Sequence, residues 1–143
     1  MQHRFLPFLF LLVLTLAAAI TLACGSSSPR TLQSVSITPA TANAQDYPNG
    51  QVPFTAAGDY TTRPSPVSPI SATWGACTTD GNTTTAVTVS SSGVAQCSSG
   101  ASGTYQVWAF DESLIPGTAN CNVVTACGGG CGRVTGTAQL TCP

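Results

Sequence analysis

Short runs of alternating apolar and polar residues fill the chain from Leu32 onward, and none keeps a helical period. In SVSITPA, Val35 and Ile37 fall on one face of a strand, and Pro39 ends it because proline has no N–H for a ladder. Later runs place these apolar residues on shared faces: Val52, Phe54 and Ala56; Ile70, Ala72 and Trp74; Val87 and Val89; Val94; Tyr105, Val107 and Ala109; Val134, Ala138 and Leu140. About seven strands separated by turn sequences predict one all-β antiparallel sandwich.

The N-terminus follows a different pattern. A short polar region around Arg4 precedes an apolar run that starts at Phe5 and ends in small residues before Cys24. This is the layout of a secretory signal. Ala23 and Cys24, followed by GSSS, resemble the bacterial lipoprotein signal, in which the cysteine is acylated and becomes the new N-terminus, although Thr21 stands where that family prefers an aliphatic residue.

The resemblance divides the chain into three parts. Residues 1–23 are a signal peptide, residues 24–31 are a lipidated cysteine and flexible tether, and residues 32–143 are the domain. Two alternatives stay open: ordinary cleavage after Ala19, which gives a secreted protein, or an apolar run retained as an anchor. All three export the domain to an oxidising compartment, where cysteines form disulfides.

Composition narrows the functional classes. Charged residues make up 6% of the chain, with a net charge of −1 and no lysine. Nucleic acid is therefore not an expected partner, because phosphate binding needs concentrated Lys and Arg. Removal of the signal also removes His3, the only histidine, so the mature chain lacks the usual general base for a serine or cysteine nucleophile. We expect no enzymatic activity and no cofactor.

Several successive motifs carry a second resemblance. SVSITPA, F-T-A (54–56), A-T-W (72–74), AVTVSSSGVA (86–95) and GTYQVWA (103–109) resemble the bacterial immunoglobulin-like domain, group 2, the module of intimin- and invasin-type surface proteins. The resemblance implies an immunoglobulin-like sandwich that acts as a spacer, adhesion or binding module. It implies no catalytic residues.

The segment 111–132 departs from that family, which joins its last two strands by a short hairpin. Here a long loop carries three cysteines, and loops of this length are usually functional or tied down. Its CGGGC stretch (127–131) is a poor redox or zinc motif, because three glycines make a poor helix start and the mature chain has no histidine ligand. Structural disulfides are the preferred interpretation, and no metal site is expected.

With Cys24 acylated, six cysteines remain as disulfide candidates: Cys77, Cys97, Cys121, Cys127, Cys131 and Cys142. Fifteen pairings are possible. Cys77 and Cys97 each end a strand, and alternation places both on the face opposite the expected core residues. A bridge between them is the first expectation. Cys142 belongs to the same end of the sandwich and the other three to the opposite loop, so either the insertion folds back or one of these assignments is wrong.

Trp108 and Phe110 are the candidate binding residues, because the alternation places them opposite the core face. Two interpretations remain: an exposed aromatic platform for a sugar or a protein, or a satellite core covered by the 111–132 loop. Asp80 and Asn82 are assigned to a turn rather than to calcium, and Asp111–Glu112 to a solvated loop start.

Two functions follow from these observations. The leading hypothesis is a non-enzymatic cell-envelope lipoprotein that presents one disulfide-stabilised domain for structural or adhesive contacts. It would reach the membrane through its lipid, and a protein or glycan is the expected partner. The alternative is a carbohydrate-binding module that uses exposed Trp108 and Phe110.

Overall fold

The computed structural model describes residues 29–111, 121 and 134–143. Nine strands form within them: β1 (Leu32–Thr38), β2 (Thr41–Asn43), β3 (Gln51–Pro53), β4 (Thr55–Tyr60), β5 (Ala72–Thr78), β6 (Val87–Val89), β7 (Val94–Cys97), β8 (Gly103–Asp111) and β9 (Thr135–Cys142). Two short 3-10 helices, Ala44–Asp46 and Pro48–Gly50, connect β2 to β3.

The strands form two layers. One sheet has the order β2-β9-β8-β5, in which β2 pairs parallel to β9 and the other pairs are antiparallel. In the other layer β1 pairs with β4, and β3 pairs with β7, which pairs with β6. Strands β3 and β4 are one stretch interrupted at Phe54, whose N–H donates to Gly93 O at 2.9 Å and continues the second layer.

This arrangement confirms the predicted all-β sandwich. The core lies between the layers and contains most of the apolar positions that alternation assigned to it, among them Val52, Phe54, Val107 and Leu140. Burying a side chain of this size contributes about 1.5–3 kcal/mol, so the four together outweigh any single surface contact. Trp74 and Tyr105 are half-buried and pack against the same core.

The turns follow their sequences. Gly81 and Gly93 adopt positive φ, as the tight reversals after Asp80 and Ser92 require. Among the described non-glycine residues, only Asn49 has a positive φ (58°). The next residue, Gly50, has a φ of 66°. Asp80 and Asn82 lie in the turn assigned to them, where Asn82 N donates to Thr78 Oγ1 at 3.0 Å.

Strand β7 differs from the prediction in its register. Val94 was expected in the core, but it is half-exposed, whereas Ala95 is fully buried. Since side chains alternate along a strand, Cys97 lies on the same core-facing side of β7 as Ala95, and not on the outer side. This one-residue difference changes the disulfide pairing.

The two ends of the sandwich carry different segments. At one end, Leu32 pairs with Tyr60 and Ala72 with Asp111, so the N-terminal segment, the 61–71 loop and the start of the insertion lie together. We call this the tether end. The other end, the distal end, holds the 44–50 and 98–102 connections and the C-terminal Pro143.

Candidate functional site

Trp108 and Phe110 form the first candidate site, on the outer face of the β2-β9-β8-β5 sheet. Each is only 5% exposed, and their rings stack with centroids 5.6 Å apart at 16°. They form a second apolar cluster with Cys77 and Cys121, separate from the main core. The prediction of an exposed aromatic platform is therefore wrong, and the burial favours the satellite core.

Gly75 makes room for this cluster. It stands opposite Trp108 in the β5–β8 register, and a Cβ at that position would lie 2.6 Å from Trp108 Cε2. Such an approach is closer than real Cβ atoms make, so only glycine lets the indole lie flat over β5. Trp108 Nε1 has no hydrogen-bond partner within the described residues.

The first disulfide joins Cys77 to Cys121, with Cα atoms 5.7 Å apart. Cys77 is fully buried on the outer face, beside the aromatic pair. The insertion leaves β8 at Asp111 at the tether end, whereas Cys77 lies opposite Gln106, roughly 17 Å further along the sheet at about 3.3 Å per residue. Of the two alternatives left open by the sequence, the position of Cys121 beside Cys77 agrees with an insertion that folds back.

The second disulfide joins Cys97 to Cys142, with Cα atoms 5.9 Å apart. It connects β7 to β9 and so crosses from one layer to the other within the main core. The predicted Cys77–Cys97 bridge is wrong: Cys77 points away from the core and Cys97 points into it, so the sheet separates them. Cys24, Cys127 and Cys131 lie outside the described residues.

A group of contacts holds the tether end together. The Arg30 guanidinium lies 3.7 Å from the centroid of the Tyr60 ring and donates to Pro64 O at 2.6 Å. Thr31 N donates to Thr61 Oγ1, and Thr61 N donates back to Thr31 O. Arg30 and Thr31, the last two residues of the predicted flexible tether, are thus fixed to the 60–64 region of the domain. No local sequence pattern indicates this role of Arg30, because a cation–π contact joins residues that lie far apart in the chain.

The distal end carries two adjoining cavities of about 470 and 530 Å³. Tyr47 lines both. The first is lined further by Gln45, Asn49 and Ser98, and the second by Asn43 and Asp46. The DYPNG stretch (46–50) has the composition of a turn, and nothing in its spacing distinguishes a cavity wall from an ordinary reversal.

The described residues contain no group of three or more His, Cys, Asp or Glu side chains placed to hold a metal ion. Within the same residues, no helix has the length and apolar character needed to cross a membrane. No known family model matches the chain, and no curated protein matches it either.

Proposed function

We propose that the protein is a non-enzymatic, exported lipoprotein of the bacterial cell envelope that presents one immunoglobulin-like domain for structural or adhesive contacts. Its partners are a membrane, reached through a lipid on Cys24, and a protein or glycan at the domain surface. The proposal includes neither a cofactor nor a nucleic-acid partner.

The observation that carries the proposal is the pair of disulfides. Cys77–Cys121 and Cys97–Cys142 close loops of 44 and 45 residues, and each would stabilise the fold by about 4 kcal/mol in the chain-entropy model. Structural disulfides persist in exported proteins and are rare in reducing compartments. Together with the apolar segment before Cys24, they support export.

The contacts of Arg30 support a short tether. Arg30 is held by its contacts with Tyr60 and Pro64, so at most residues 24–29 separate a lipid on Cys24 from the domain. Fully extended, this segment spans at most about 22 Å. A lipid on Cys24 would hold the tether end close to the membrane and direct the distal end away from it.

Labelling of the expressed full chain with radioactive palmitate tests the proposal. We expect label on the wild-type protein, none on Cys24→Ser, and full label on Cys127→Ser, the matched control that removes a cysteine elsewhere. Mass spectrometry of the mature N-terminus completes the test. An unmodified N-terminus at Ile20, or a full set of reduced thiols in native protein, would overturn the proposal.

A further inference from the structure

Several of the polar side chains that line the distal cavities form no hydrogen bond within the described residues, although those of Asn43 and Ser98 do. No described residue forms a hydrogen bond with the Tyr47 hydroxyl or with the side chains of Gln45, Asp46 and Asn49. The Tyr47 ring is half-buried against the core and separates the two cavities. An aromatic ring and several exposed polar side chains therefore lie together at this surface. We call this region the Tyr47 cleft.

The backbone around the cleft is fixed. The Cys97–Cys142 disulfide lies beside it, and β2 pairs with the end of β9, with Asn43 opposite Thr141. Asn43 Oδ1 accepts from Gln45 N at 3.1 Å and caps the turn that carries Tyr47. A cleft with a rigid frame loses less conformational entropy when a ligand binds than a flexible cleft does.

The charge of the cleft limits its ligands. Among the described residues that line the two cavities, only Asp46 has a charged side chain, and none is basic. A phosphate, sulfate or uronate ligand would meet a carboxylate without a countercharge. The remaining polar groups are amides and hydroxyls, which donate to and accept from neutral ligands.

These features fit one class of ligand. A pyranose ring offers an apolar C–H face that packs on an aromatic side chain, and hydroxyls that pair with amides and hydroxyls. We propose that the Tyr47 cleft binds a neutral oligosaccharide. The Tyr47 ring is the platform, and the Tyr47 hydroxyl and the side chains of Gln45, Asp46 and Asn49 are the hydroxyl partners. The bound glycan would span the two cavities across Tyr47.

A peptide is less well suited to the cleft. Strand β2 is the edge next to the second cavity, but it has only three residues, too few for extensive strand addition. The proposal names the ligand class for the adhesive domain. It does not depend on acylation of Cys24, since binding is measured in solution.

The test uses the full chain, purified in detergent with its disulfides formed, and titrates it with maltohexaose, cellohexaose, chitohexaose and mannohexaose by calorimetry. Hexagalacturonate is the anionic comparator. We expect at least one neutral glycan to bind with a dissociation constant below about 1 mM, and hexagalacturonate to bind more weakly.

Two matched pairs of variants locate the site. Tyr47→Phe should weaken binding about threefold, whereas Tyr60→Phe, which removes the same hydroxyl at the tether end, should not change it. Gln45→Ala should weaken it by about fivefold, whereas Gln33→Ala, an exposed glutamine on β1, should leave it unchanged. These substitutions alter partly or fully exposed side chains, so thermal unfolding should confirm that the variants stay folded.

Three outcomes would overturn the inference: no neutral glycan binds the folded protein up to about 5 mM, hexagalacturonate binds more tightly, or Tyr47→Phe and Gln45→Ala bind like the wild type. Each of these results would leave the palmitate experiment unaffected. A failure of acylation would in turn leave the glycan titration unaffected, so the two proposals fail separately.

Discussion

At the scale of single residues, glycine decides what the outer face of the β2-β9-β8-β5 sheet can hold. Trp108 lies over Gly75 because that position has no Cβ. The same face also carries Cys77, and the two form one cluster with Phe110 and Cys121. The satellite core therefore depends on a residue that contributes no side chain.

Replacing Gly75 with alanine should destabilise the domain. Its Cβ would overlap the Trp108 indole, which must move, and overpacking of this kind costs about 2–3 kcal/mol. Urea unfolding monitored by tryptophan fluorescence measures both the loss of stability and the shift of Trp108 emission.

Gly100→Ala is the control for Gly75→Ala. Gly100 has φ of 78°, but a Cβ there would meet nothing within 4 Å, so only backbone strain of about 1 kcal/mol is expected, with unchanged emission. If Gly75→Ala matched the wild type in stability and emission, the packing of Trp108 on β5 would be wrong.

At the scale of elements, the sequence predicted the strands better than their pairing. Alternation assigned Val107 and Ala109 to the core and Trp108 to the opposite face, and the structure confirms this because β8 is long and regular. Strand β7 has four residues, VAQC, in which Val94 and Ala95 are both apolar. Alternation alone cannot choose between them, and the larger residue is the half-exposed one.

That choice determined the disulfide prediction. With Val94 in the core, Cys97 would face outward like Cys77; with Ala95 in the core, Cys97 faces Cys142 on β9. The Tyr47 cleft and the contact of Arg30 with Tyr60 were not predictable for a related reason. Both join residues that are distant in the chain, and only the sandwich brings them together.

A non-reducing digest with Asp-N and trypsin distinguishes the pairings. Cleavage before aspartate and after Arg133 puts Cys77 in peptide 59–79, Cys97 in 80–110, Cys121 in 111–133 and Cys142 in 134–143. We expect 59–79 linked to 111–133 and 80–110 linked to 134–143. A reduced digest of the same sample is the control, and a link between 59–79 and 80–110 would contradict the structure.

At the scale of the whole molecule, the two ends have different chemistry. Arg30 and Arg63 both lie at the tether end, in the N-terminal segment and the 61–71 loop. The tether end also carries Asp59 and Asp111, whereas the distal end carries Asp46 and Asp80 and no described arginine. Strand β8 runs nine residues from one end to the other, which is roughly 30 Å. A short tether would keep arginine near lipid headgroups and the Tyr47 cleft away from them.

Fluorescence quenching tests this orientation. A fluorescent amino acid is placed at Thr62 in the tether-end loop or at Ser99 at the distal end, both exposed, in the lipidated chain bound to vesicles with spin-labelled headgroups. Because residues 24–29 span at most about 22 Å, Thr62 can reach the headgroups while Ser99 stays roughly 30 Å further out. Quenching should be several times stronger at Thr62.

Cys24→Ser carrying the same labels should show no quenching at either site. Equal quenching at Thr62 and Ser99 would mean that the domain lies along the membrane, with the Tyr47 cleft no further from it than the tether end.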